Sequence, residues 1–353
     1  NGDITVSATA ESQTVSQAGG SPTVDHNPVI TSNGKTNNTV TITAEKNATA
    51  NVTLENVNID TGTTGGAAIT TSGEGNVNIE LNGTNTVQSG NTHAGVEKKD
   101  NGTLTITDEN KDGSLTANGG GVGGAGIGGG YGGSGSNITI EGGEVTATGG
   151  FDGAGIGGGA GGSGSNITIS DGKVTATGAG AGAGIGGGYK GSGKGITIEG
   201  GKVTAQGDIG GAGIGGGANG TGSDVTISGD AQVKVQGGRA NENWHKGAAI
   251  GNGGTYTTDG NEVSPNTSDL TVEGFIQIYE PGKNINTDTP DKTIEGQKGD
   301  HSWNAGEVTT AETVPESKAA AYWVSDPEGQ SVPYQAQQKD GVLTVTVQAD
   351  TAS

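Results

Sequence analysis

The sequence predicts an all-β chain wound into a right-handed, single-stranded parallel β-helix with terminal caps. Three observations predict it. The motif Gly-Ala-Gly-Ile-Gly-Gly-Gly stands at 124–130, 153–159, 182–188 and 211–217, so Ile127, Ile156, Ile185 and Ile214 recur every 29 residues. Between successive motifs lie two further runs rich in β-branched residues, such as Asn137-Ile138-Thr139-Ile140 and Glu144-Val145-Thr146-Ala147-Thr148, separated by Glu141-Gly142-Gly143. The composition, with 75 Gly and 28% hydrophobic residues in 353, is too poor in large apolar side chains for a conventional core and lacks the Gly-X-Y period of collagen.

A fixed period of this length marks a solenoid, and three short strands per period are one triangular coil. Alternation along each strand sends Ile138, Ile140, Val145, Ala147, Ala125 and Ile127 inward, and Thr139, Thr146, Thr148 and Gly126 outward. Coils stacked about 4.8 Å apart place the four motif isoleucines in one interior column. One coil alone buries too little to offset the entropy of ordering its backbone, so its neighbours supply the rest. Parallel crossovers fix the right hand, and the hexapeptide period of left-handed helices is absent.

In chain order, residues 1–29 read as an irregular polar cap over the first open ladder. Residues 30–280 read as the β-helix, with early coil strands at 39–43, 50–60 and 76–87. Degenerate motif copies lie at Gly66-Ala67-Ala68-Ile69, Ala94-Gly95-Val96 and Gly247-Ala248-Ala249-Ile250-Gly251, which gives marker steps of 27, 31, 29, 29, 29 and 36 residues. The last coil strands are Leu270-Thr271-Val272 and Phe275-Ile276-Gln277-Ile278. Residues 281–353 are an acidic loop followed by strands at 321–324 and 341–347, a C-terminal cap or small β module.

A net charge of −21, from 38 acidic against 17 basic residues with Arg239 the only arginine, disfavours nucleic acid and anionic membrane as partners. Neutral polymers and cations fit better. With no cysteine there are no disulfides, thiolate metal sites or thiol catalysis. No apolar run approaches the roughly 20 residues that span a bilayer, and the whole reads as a secreted or surface protein with no membrane insertion.

Scarce aromatics make their placement informative. Tyr131 and Tyr189 directly follow the glycine motif, where Ala160 and Ala218 stand in the other coils, and Phe151 precedes the next motif. Tyrosines two coils apart lie about 10 Å from each other along one edge, a spacing suited to stacking on alternate sugar rings. The long insertion 237–246 brings Arg239, Glu242, Trp244 and His245, and Tyr256 follows it. The ligand-binding candidates are therefore Tyr131, Phe151, Tyr189, Trp244, His245 and Tyr256.

Asp108-Glu109-Asn110-Lys111-Asp112-Gly113 matches the first half of an EF-hand-like loop, with Asp108, Asn110 and Asp112 as metal candidates and calcium as the implied cofactor. Gly119 stands where the bidentate glutamate belongs. Asn286-Thr287-Asp288 is one fragment of a polygalacturonase-type signature whose other carboxylates, Gly-His-Gly and Arg-Ile-Lys are missing. Elimination of the pectate-lyase type needs a base beside calcium, for which the Arg239 insertion is the one candidate. Outward threonines such as Thr139, Thr168, Thr197 and Thr226 are explained by β-propensity.

The pairing of Gly-Ala-Gly-Ile-Gly-Gly-Gly with Ile-Thr-Ile-x-Gly-Gly-x-Val-Thr-Ala resembles the glycine-rich-repeat carbohydrate-binding β-helix surface proteins of Gram-positive bacteria, over residues 37–255. The resemblance implies a pectate-lyase-like solenoid, secreted or cell-surface, that binds plant or host polysaccharide without hydrolysis, sometimes with calcium. A non-catalytic polysaccharide-binding module is the leading expectation. The alternatives are a structural or adhesive rod that binds protein partners or itself through a bare face at Gly126, Gly155, Gly184 and Gly213, and a calcium-dependent polysaccharide lyase.

Overall fold

The computed structural model describes residues 2–99, 101–256, 268–272, 274–295, 302–303, 334–339 and 342–347, the segment 268–272 and everything from 295 onward as backbone only. Two compact units emerge, Asn1–Thr310 and Ala311–Ser353. The first is a right-handed parallel β-solenoid, and no described residue is helical. In the second, Tyr334–Lys339 pairs antiparallel with Val342–Val347. The expected strand at 321–324 lies outside the described residues.

Three sheets run along the solenoid. Each coil contributes in turn a short strand such as Ile127–Gly128 to the first sheet, a longer one such as Gly135–Ile140 to the second, and one such as Glu144–Thr148 to the third. The marker residues pair in one unbroken series, Val40 to Ile69, Val96, Ile127, Ile156, Ile185, Ile214 and Ile250. Unequal sequence steps are thus absorbed in loops while the register holds. Parallel columns of Ile138, Ile167, Ile196 and Val225, and of Val145, Val174, Val203 and Val233, complete an interior sealed from solvent. The outward threonines of the second and third sheets are only partly buried, as alternation requires.

The glycine motif departs from the expected third strand. Only the Ile-Gly pair joins the ladder, because the Ala125 N–H donates to the Gly129 carbonyl (2.9 Å) and doubles the chain back on itself. Ala154 and Gly158, Ala183 and Gly187, and Ala212 and Gly216 repeat the bond. Gly128 at the fold-back has φ +132°, and a Cβ there would meet the Gly157 carbonyl oxygen at 2.0 Å. No side chain fits that conformation or that space.

The same fold-back corrects the expectation of a bare outer face. Gly126, Gly155, Gly184 and Gly213 are buried. A Cβ on Gly126 would lie 2.6 Å from both the Thr148 amide nitrogen and the Gly155 carbonyl oxygen; on Gly155 it would lie 2.5 Å from the Thr177 nitrogen. The chain's own backbone covers these positions.

Earlier coils lack the motif and keep five-residue strands in the first sheet, Val40–Ala44 and Ile69–Gly73; Val96–Lys98 is the transition. The first-sheet strand therefore shortens in a step between Val96 and Ile127. In the column Ile42, Thr71, Lys98, which ends at this step, all three are buried, and Thr71 Oγ1 is the one buried side-chain polar atom among the described residues with no hydrogen bond.

Antiparallel strands stop the parallel ladder at both ends of this unit. Residues 1–29 are more regular than the sequence suggests: Ile4–Ala8 already pairs in parallel with Val40–Ala44, and Gln13–Gln17 folds back on it. The Gln13 side-chain amide bonds the Asn51 N–H and carbonyl, both at 2.8 Å, standing in for a missing strand. At the other end Lys292–Glu295 lies antiparallel on Phe275–Tyr279, and Ser302–Trp303 on Ser268–Val272.

Candidate functional site

Each coil has one rim where the loop leaving the third sheet meets the turn that follows the glycine motif. Backbone bonds fasten the two across coils: Tyr131 N–H to Thr92 O (2.7 Å), Ala160 to Gly123 (2.7 Å), Tyr189 to Asp152 (2.8 Å) and Ala218 to Ala181 (2.8 Å). Residues immediately after the motif therefore sit on this rim at regular intervals, which brings Tyr131 and Tyr189 to one edge, two coils apart.

Tyr131 is 64% exposed, and its ring rests against Gly123. A Cβ on Gly123 would lie 2.6 Å from the ring and 3.0 Å from the Ala160 methyl. Glycine at 123 and alanine at 160 leave the space the ring takes. Phe151, also 64% exposed, bridges in parallel to Val122 of the preceding coil, itself exposed, and leans toward Gly180. Two large apolar side chains are thus held in water on rigid backbone.

The insertion 237–246 folds as an arm. Asn241 Oδ1 accepts the N–H groups of Asn243 and Trp244 at 2.9 Å, the His245 N–H donates to Thr255 O (3.0 Å), and Trp244 bridges antiparallel to Tyr256. The indole is clasped between two tyrosines, edge to face, with centroids 5.6 Å from Tyr189 and 5.2 Å from Tyr256. Lys190 Nζ lies 5.0 Å from the Tyr189 centroid. Of the six binding candidates, the structure brings Tyr189, Trp244 and Tyr256 into one cluster and sets Tyr131 and Phe151 on the rim beside earlier coils. His245 is held through its backbone and stays out of the ring cluster.

Carboxylates that the sequence reading passed over share this rim. Asp152 follows Phe151 and is half-buried; burial raises its pKa, opposed by the Ala181 N–H that its Oδ1 accepts at 3.0 Å. Asp208 Oδ2 accepts the Gly180 N–H (3.2 Å) and Oδ1 lies 3.7 Å from Arg239 Nε. The available signal was the break in the column Gly123, Asp152, Ala181, Gly210, where one member alone is charged.

The half calcium loop is a hydrogen-bonded turn. Asp108 Oδ1 accepts the N–H groups of Asp112 (3.2 Å) and Gly113 (3.1 Å), and Asn110 and Asp112 are exposed. Among the described residues no three His, Cys, Asp or Glu side chains are grouped to hold a metal. Asp288 accepts the Asn284 N–H (2.8 Å) as a loop cap, and Arg239 is occupied with Asp208. No described helix is long and apolar enough to cross a membrane.

A family model for a beta helix repeat matches residues 138–160, 167–189 and 196–218, three successive coils beginning in the second sheet and ending just past the glycine motif. Neither the curated proteins nor the solved structures yield a significant match. The repeat match and the rung register agree that the chain is a β-helix protein.

Proposed function

We propose that this protein is a non-catalytic, extracellular polysaccharide-binding module that takes its ligand along the aromatic rim. One observation carries the reading: of the six exposed large apolar side chains, Val122, Tyr131, Phe151 and Tyr256 stand on this rim or its arm, and only Val24 and Val29, near the N-terminal end, lie elsewhere among the described residues. Exposed apolar groups gathered on one surface mark a binding site.

The chemistry suits a neutral sugar chain. Aromatic faces pack on the apolar C–H faces of sugar rings, and the second oxygen of Asp152 accepts from hydroxyls. Tyrosine positions two coils apart, about 10 Å, match a chain longer than a disaccharide. Acidic character throughout disfavours polyanionic glycans. Secretion or display on a bacterial surface follows as part of the same proposal.

A glycan array, repeated with and without added calcium, tests the proposal. Retention on at least one neutral polysaccharide is expected, unchanged by chelation. Failure to bind any polysaccharide in either condition overturns it, and release of unsaturated products would replace it with a lyase.

A further inference from the structure

We propose that His93 is a polar subsite at the N-terminal end of the aromatic rim, its imidazole Nε2 hydrogen-bonding a hydroxyl of the saccharide that lies on Tyr131. This rests on the binding role proposed above.

The site is built around a carboxylate inside the step of the first sheet. Glu97 has a side chain only 4% exposed, and three donors converge on it: His93 Nδ1 on Oε2 at 2.6 Å, the Ala94 N–H on Oε2 at 3.1 Å, and Lys99 Nζ on Oε1 at 2.8 Å. The contact with Glu97 engages Nδ1 and leaves Nε2 as the imidazole's other polar atom. Nε2 can meet a hydroxyl as donor or as acceptor, since a hydroxyl serves in either role.

That nitrogen reaches solvent. His93 keeps 28% of its side chain exposed, Nε2 has no hydrogen bond among the described residues, and it is not one of the buried polar atoms lacking one. Its place on the rim is fixed by two further observations. The Tyr131 N–H donates to the carbonyl of Thr92, the residue before His93, and a Cβ on Gly130 would lie 3.1 Å from Glu97 Oε2. The turn that carries Tyr131 therefore rests on the carboxylate that aims the imidazole.

A purely structural role would need only the Nδ1 contact to Glu97, since that is the bond tying the loop to the step. A second nitrogen left without a partner on the loop that anchors the Tyr131 backbone is what a ligand requires. Glu97 acts as a positioning residue and His93 as the contact.

The test uses the full chain and the neutral polysaccharide that retains it most strongly. His93→Asn keeps an N–H at the Nδ1 position for Glu97 and removes any atom at Nε2. It is expected to lower affinity about three- to tenfold, the worth of one hydrogen bond, with the melting temperature unchanged. Trp244→Ala serves as the reference that weakens the rim itself. In the wild type, the His93 Nε2 nitrogen resonance should move on addition of an oligosaccharide of that polymer, which reads the contact without any substitution. Wild-type retention with full affinity in His93→Asn and a stationary resonance overturns the subsite alone. No retention of the wild type overturns the binding role and the subsite together.

Discussion

Replacing Gly186 by alanine should unfold the rod more readily than any other glycine-to-alanine change in a graded set. Gly186 has φ +130° and its Cβ would stand 2.0 Å from the Gly215 carbonyl oxygen, which belongs to the next rung. Holding an alanine in that backbone region costs about 1–3 kcal/mol, and pushing a closely packed rung aside costs about 1–3 kcal/mol more. The expected loss is therefore about 2–6 kcal/mol. Gly155→Ala has the crowding without the unusual φ, at 2.5 Å from the Thr177 nitrogen, and should lose about 1–3 kcal/mol. Gly132→Ala has φ +72° with nothing within 4 Å, for a loss of about 1–2 kcal/mol. Gly66→Ala has neither and should be neutral or gain up to about 1 kcal/mol through the unfolded chain. Urea unfolding followed by circular dichroism gives the ranking from the midpoints, since a stacked array need not unfold in one step. A Gly186→Ala protein as stable as Gly132→Ala would refute the close-approach reasoning. Association of Gly155→Ala that differs from the wild type at unchanged stability would return the glycine face to consideration as a docking surface.

Other consequences follow from single residues. Thr71→Val removes a buried hydroxyl with no hydrogen bond at nearly constant shape, and should raise stability by about 1 kcal/mol; a fall in melting temperature would mean that the hydroxyl has a partner. Burial raises the Asp152 pKa above its ordinary 3.8, so the folded state holds this proton more tightly than the unfolded chain. Its contribution to stability is then fully present below pH 3.8 and is lost as pH rises through the folded value. Asp152→Asn should flatten that decline while keeping the bond to Ala181, and an unchanged pH profile of melting temperature would contradict it. Asn166 sits at φ 51° in a column where Gly195 follows and accepts no crowding from it; Asn166→Ala should cost about 1–2 kcal/mol and Asn166→Gly less, by thermal melts, with equal losses counting against the left-handed strain.

The register was legible because it is carried by large residues. Ile127, Ile156, Ile185 and Ile214 can stack only on one another, so a count of 29 in the sequence becomes a column in space. The glycine motif was harder to read for a physical reason. Alternation assumes an extended strand, but Gly128 adopts φ +132° and the Ala125 to Gly129 bond reverses the chain, which turns an expected outer face into buried backbone. Asp108 illustrates the same limit. Its spacing to Asp112 suits both an ion and a turn, and the turn itself, with two N–H groups on Oδ1, becomes visible only in the structure.

On the rim, Tyr131, Phe151 and Tyr189 were readable as departures from a repeat, whereas the clasp of Trp244 between Tyr189 and Tyr256 was not. Those residues lie 55 and 12 positions from Trp244, and it takes the backbone pairing of the arm to bring them together. Glu97 and His93 were invisible for a similar reason. Nothing in Gly95-Val96-Glu97-Lys98 announces that the strand shortens there and a charge is buried.

The most direct measurement is affinity electrophoresis in gels cast with neutral polysaccharides, comparing the wild type with Phe151→Ala and Trp244→Ala. The account predicts that at least one polymer retards the wild type and that both substitutions restore mobility toward that of an empty gel, while melting temperatures stay close to the wild-type value. Mobility unaffected by every polymer, or retardation that both substitutions leave intact, would contradict it.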